Sequence, residues 1–339
     1  MVRVVSFPSQ LSVQSVLHFS RELRSEGSTA VEIDFSQAKW MPPFPLLMAS
    51  SEINRFRRDC PEAKLACARF EHLTYAAHMG FFWSFGLPFG KRPGEALGGE
   101  NYQPLTVIMN EEIQRAAASK ETAVGEIMEG HATALAKVLC RAEGGELFEA
   151  LSYALREMMR NVVEHSLSDR VAFCAQHWPQ KGMVEVGIND WGIGIADSLR
   201  RNPELEVTTD ADALSLALMP GISGRGAIVK RQKRRDEWTN SGYGLYMTSR
   251  LARSGGTFLI GSGGAAVLLD GTGVNPVHWE YPGTAIRLQL RTGNIGILKD
   301  RLEGFRRDAA ELQEKLGAAS IRSPSVASQM LEKDFDRQV

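Results

Sequence analysis

Residues 146–166 read ELFEALSYALREMMRNVVEHS, and the rest of the chain is placed around this stretch. Leu147, Leu151, Leu155, Met158 and Val162 recur every three or four residues, the spacing of one buried flank on an amphipathic helix. Glu157, Asn161 and His165 stand four apart, so a carboxylate, an amide and an imidazole stack in a second stripe beside the first. Taken alone, this triplet has a competing reading as an ordinary solvated face. The segments downstream decide against it.

Two strands are expected after the helix, Val171–His177 and Met183–Asn189, joined through Trp178-Pro179-Gln180-Lys181-Gly182, whose proline and glycine signal a hairpin. The second runs into Asp190-Trp191-Gly192-Ile193-Gly194. A carboxylate at a strand end, with glycines two and four residues on, suits a loop that must pass close to a flat ligand. An aspartate-capped tight turn is the plainer alternative. Residues 196–240 read as a long irregular connection, of the kind used as lids, and hold the basic run Lys230–Arg235. That run reads as a solvated face, a set of charges closing over a triphosphate, or a contact to a nucleic-acid backbone. Ser241-Gly242-Tyr243-Gly244-Leu245 then opens a helix to Arg253, where free backbone amides and the helix dipole favour phosphate. Strands follow at Thr257–Gly261, Ala265–Leu269 and Thr284–Leu290.

Upstream, strands at Val2–Phe7, Ala30–Phe35 and Lys64–Ala68 alternate with helices at Val13–Leu23, Leu46–Phe56 and Leu73–Met79. That alternation predicts a small α/β layer over residues 1–87. Gly86 to Gln103, rich in glycine and proline, marks a boundary, so residues 88–121 read as a linker with a connecting strand at Leu105–Met109. A helix over Thr122–Leu139 leads into the organising one. The second domain is expected at 122–292, an amphipathic coiled-coil-like helix at 293–317 and a flexible tail at 318–339. The seam Ile295, Leu298, Leu302, Phe305, Ala309, Leu312 and Leu316 suits either packing on the same chain or a homodimer.

A formal net charge of -1 over 339 residues gives no global reason for nucleic acid or an anionic membrane as partner. Four cysteines without a CxxC pair fit reduced core thiols better than a disulfide framework or a zinc site. With no run of about 18 apolar residues and no leader-like N-terminus, a soluble cytoplasmic protein is expected.

Glu157-x-x-x-Asn161 on a helix, Asp190-x-Gly192-x-Gly194 after a strand, Gly242-x-Gly244-Leu245 before a helix and Gly283-Thr284 at the last strand resemble, as an ordered set, the four boxes of the GHKL ATPase superfamily. The spacing Glu157, Asn161, His165 is most similar to that of its anti-sigma-factor serine kinases. The resemblance covers roughly Thr122 to Leu290. It implies a Bergerat-type α/β sandwich that holds ATP with Mg²⁺. By the same resemblance Asn161 supplies the metal's amide oxygen, Asp190 accepts from the adenine amine, and Gly192 and Gly194 pass beneath the base. Thr284 adds a contact on the adenine side, Ser241, Gly242, Tyr243, Gly244 and Leu245 form the phosphate loop, and Glu157 is the general base. The histidine kinases' phosphoacceptor pattern is missing around His131, which has neither an acid nor a proline after it.

The first 87 residues resemble a STAS domain through Asp34-Phe35-Ser36, the helix reaching Phe56 and His78-Met79-Gly80-Phe81. Where many of that family carry a phosphorylatable residue at the helix start, this chain has Met41-Pro42-Pro43-Phe44, which puts such switching in doubt. The function expected is a Mg-ATP-binding ATPase or protein kinase in a regulatory protein with a protein partner. A non-catalytic, ATP-gated interaction switch is the alternative.

Overall fold

The protein's structure, a computed structural model, describes residues 2–25, 30–92, 95–96, 98–99, 101–122, 124–222, 244–253, 255–294, 303–305, 307–309 and 311–312, without the side chains of 124–125, 163–165 and 252–253. The chain is mixed α/β and divides into two compact units, 1–107 with 172–176, and 108–171 with 177–339. Among the described residues no helix is long and apolar enough to cross a membrane.

The first unit runs β1 (Arg3–Ser6), α1 (Val13–Arg24), β2 (Ala30–Asp34), α2 (Pro43–Asp59), β3 (Lys64–Ala68), α3 (Thr74–His78) and α4 (Phe81–Ser84). Its three strands are parallel in the order β1-β2-β3. α1 starts on a reciprocal cap between Ser12 and Ser15, and α2 starts on prolines, whose fixed φ suits a first turn. The core is aromatic: Phe7 meets Phe19, Phe35 and Phe81, with ring centroids 4.5–5.9 Å apart. Glu52, buried between α1 and α2, is held by Ser20, Arg24 and Arg55.

The remaining elements are β4 (Tyr102–Met109), α5 (Asn110–Ser119), α6 (Val124–Cys140), α7 (Glu146–His165), β5 (Arg170–Trp178), β6 (Met183–Asp190), α8 (Gly194–Leu199), α9 (Asp210–Ala217), α10 (Gly244–Arg253), β7 (Gly256–Gly263), β8 (Ala265–Asp270), β9 (Gly273–Val277) and β10 (Tyr281–Arg291). A seven-stranded sheet has the order β4-β5-β6-β10-β7-β8-β9, and β10 pairs antiparallel with both β6 and β7. That central place sets β10, the last strand among the described residues, between β7 and the much earlier β6. A half-buried polar row runs across the sheet: Gln289 Nε2 donates to Glu185 Oε2 at 2.6 Å, and Thr257 Oγ1 donates to Gln289 Oε1 at 3.0 Å.

α7 buries the flank read from the sequence, with Leu147, Leu151, Leu155, Met158 and Val162 all nearly inaccessible. Each such side chain contributes about 2 kcal/mol relative to exposure. Three expectations are corrected. Residues 196–240 are not irregular throughout, because α9 forms on a capping box between Thr209 and Asp212. α5 stands where only a linker and strand were expected, with Glu111 and Glu112 in its first turn. β10 begins at Tyr281 rather than Thr284, across a register irregularity between the two. The expected helix over 293–317 lies largely outside the described residues; its seam residues Phe305 and Ala309 are buried.

Candidate functional site

Asp190 ends β6, 2% exposed, and its Oδ1 accepts from the amides of Gly192 at 2.6 Å and Thr284 at 3.3 Å. Burial pushes its carboxyl up to about 7, against these bonds, which favour the ionised form. Gly283, with φ +78°, lies so close that a Cβ there would sit 2.4 Å from the Asp190 carbonyl oxygen. Tyr281, buried, donates its hydroxyl to that same carbonyl at 3.4 Å.

The loop after Asp190 is tied to the end of α7. Ile193 N–H donates to the Ser166 carbonyl at 2.7 Å, and Trp191 N–H donates to Ser168 Oγ at 3.1 Å. Gly192 has no room for a side chain, since a Cβ would fall 2.1 Å from the Ser166 carbonyl oxygen. Leu167, between the two serines, turns the chain at φ 55°. The side of Trp191 is covered by Arg170, 4.5 Å from its ring centroid.

Ser262, on β7 and 3% exposed, joins three of these strands and loops. Its Oγ accepts from Ile195 N–H at 2.8 Å, donates to the Gly283 carbonyl at 3.0 Å and lies 3.4 Å from Thr284 Oγ1. A Cβ on Gly194, at φ +77°, would meet that hydroxyl at 2.8 Å. Ser262 lies between the strands expected at Thr257–Gly261 and Ala265–Leu269 and was not singled out from the sequence. Its role follows from the register that sets it opposite Thr284, which no local pattern reveals.

One side of α7 carries Glu157 and Asn161. Glu157 is 1% exposed, with Arg160 Nη2 at 3.1 Å from Oε2 and Arg156 Nη2 at 3.8 Å from Oε1. Asn161 is half-buried, and its amide makes no hydrogen bond among the described residues. Gly244, the first residue of α10, packs on this helix: a Cβ there would lie 2.9 Å from Glu157 Cβ and 3.2 Å from the Ala154 carbonyl oxygen. Leu245 follows, half-buried.

Contacts within the second unit therefore join Gly192 and Thr284 to the Asp190 carboxylate, set Gly194 against Ser262, and join Gly244 to Glu157. Ser241, Gly242, Tyr243 and the basic run Lys230–Arg235 lie outside the described residues, as does the side chain of His165. Burial holds the imidazole of His131, on α6, below its ordinary pKa. All four cysteines are free thiols. No group of three His, Cys, Asp or Glu among the described residues is arranged to hold a metal ion. Comparison of the chain with protein-family models, with curated proteins and with solved structures finds no match.

Proposed function

We propose that residues 122–292 form a GHKL-type nucleotide-binding domain of Bergerat architecture that takes ATP with Mg²⁺ and works as an ATPase or protein kinase. In this reading it belongs to a cytoplasmic regulatory protein with a STAS-type N-terminal domain and a protein partner.

One observation carries the reading. A buried carboxylate at a strand end accepts from the Gly192 amide and is touched by Gly283, and the loop after it leaves no room for a side chain at Gly192, against Ser166, or at Gly194, against Ser262. Its loop is bonded to the helix that bears Glu157 and Asn161. Such a carboxylate, with Thr284 and backbone amides around it, can accept from the exocyclic amine of a flat base. The residues also suit the metal. Asn161 offers a half-exposed amide oxygen, which fits an ion that takes one protein ligand and completes its shell with phosphate and water oxygens. Such an ion would neutralise phosphate charge. Glu157, one turn before Asn161, then stands where it can take a proton from an attacking water or hydroxyl.

The test is turnover of γ-³²P-labelled ATP, following both released phosphate and label on protein, for the wild type beside Glu157→Ala and Asn161→Ala. Phosphate release that vanishes in both variants supports a hydrolase, and label on this chain or an added partner supports a kinase. Tight binding with neither signal favours the ATP-gated interaction switch. Absence of binding refutes the reading.

A further inference from the structure

Glu157 lies between two guanidinium groups of its own helix. Arg160 approaches one carboxylate oxygen at 3.1 Å and Arg156 the other at 3.8 Å, and the Glu157 side chain is far less exposed than either. Arg156 is shared, because its Nη1 donates to Glu129 Oε2 of α6 at 2.9 Å while its guanidinium stacks 5.1 Å from the Tyr153 ring. From α10, Gly244 packs against Glu157 and brings no charge. The buried cation of α10, Arg250, stacks on Tyr246 at 4.4 Å and donates to Ser249 Oγ at 3.3 Å.

A carboxylate taken out of water is destabilised unless a partner charge stands close. Arg160 is the nearer partner of the two. It neighbours Asn161 in sequence but leaves the helix about 100° away from it, so the two side chains serve different neighbours.

We propose that Arg160 is a positioning residue for Glu157: its guanidinium, 3.1 Å from one carboxylate oxygen, holds the buried carboxylate in place to act as base. This rests on the reading of Glu157 given above. In the step it serves, the attacking oxygen bonds to the γ-phosphorus and gives its proton to Glu157. The bond from that phosphorus to the β,γ-bridging oxygen breaks, and ADP leaves with the electron pair. Without Arg160, the carboxylate swings away, and the base is lost while the nucleotide's own contacts stay.

The experiment compares wild type, Glu157→Ala, Arg160→Gln and Arg160→Lys in the full chain. ATP affinity is read by displacement of a fluorescent ATP analogue, and kcat by label transfer and phosphate release. Arg160→Gln is expected to hold ATP within about threefold of wild type and to lose about tenfold or more in kcat. Arg160→Lys, which restores the charge, is expected to recover most of that loss. Should Arg160→Gln not fold, Arg160→Lys decides: inactivity at unchanged affinity overturns the proposal.

Wild-type kcat in Arg160→Gln beside an inactive Glu157→Ala overturns the positioning role alone. Affinity lost in step with turnover also overturns it, making Arg160 a phosphate contact or a structural residue. An active Glu157→Ala overturns the base assignment. A wild type that binds no ATP overturns the nucleotide reading itself, and one that binds ATP without turnover leaves no base to position and overturns both catalytic claims.

Discussion

The α-carbon of Gly244 sits so close to Glu157 that a methyl group there would come within 2.9 Å of the Glu157 Cβ. The first turn of α10 thus rests on the turn of α7 that carries the acid. The Ala154 carbonyl oxygen, 3.2 Å from the same position, is backbone and gives little. Gly244→Ala is expected to cost about 1–3 kcal/mol of stability through overpacking. It should also lower turnover more than Glu157-independent properties such as helix content. Thermal melts and ATP turnover on the same sample check this.

Gly192 makes a sharper case, since its obstacle is the Ser166 carbonyl oxygen at 2.1 Å. Relief requires separating the Asp190 loop from the end of α7 and breaking the bond from Ile193 N–H to that oxygen. Gly192→Ala should cost about 2 kcal/mol or more and abolish ATP binding. Gly271→Ala, where a Cβ meets nothing within 4 Å, is the control and should stay within about 0.5 kcal/mol of wild type. Equal melting temperatures for the two variants would remove the close approach as an explanation.

The parts of this fold that were legible are those whose signal is local. α7 shows its buried flank in the spacing of five apolar residues, and β3 matches its expected limits, Lys64–Ala68. β9 was missed because Gly273-Val274-Asn275-Pro276-Val277 is poor in strand-forming residues. It forms at the sheet edge, where a proline costs no ladder bond. α9 did carry a readable capping box, Thr209 to Asp212, hidden by the glycine- and proline-bearing sequence after it. Within the site, the Asp190, Gly192 and Gly194 cluster was legible as a motif. Ser262 was not, because its three partners come from separate segments that meet only once β7 and β10 are in register.

Ser262→Ala tests that junction. It removes an acceptor from Ile195 N–H and a donor to the Gly283 carbonyl at a nearly inaccessible position. Leaving two buried backbone groups short of a partner costs about 1–3 kcal/mol. Because Gly194 and Gly283 both border Asp190's surroundings, ATP affinity should fall as well, by about tenfold. A variant that melts lower but binds ATP as the wild type does would confine Ser262 to a scaffold role.

The Asp190 carboxyl, raised to about 7 from an ordinary value of 3.8 by burial, makes stability and binding depend on pH in opposite directions. Between those two values the folded chain holds a proton that the unfolded chain has released. This contribution to stability is complete below about 4 and is lost as pH rises through about 7, amounting to roughly 4 kcal/mol in all. Asp190→Asn cannot titrate, so its stability relative to wild type should grow across that window and level off above it. A donor such as the adenine amine favours the ionised carboxylate. ATP affinity should therefore weaken up to about tenfold for each pH unit below about 7, with a proton released on binding, and the asparagine variant should show neither trend. Melting curves from pH 5 to pH 8.5, and calorimetric titration in two buffers of different ionisation enthalpy, measure the two effects separately. A wild-type-minus-variant difference that stays constant over that range would mean that Asp190 titrates as an ordinary carboxylate, and would leave the shape of the pocket as the sole source of base recognition.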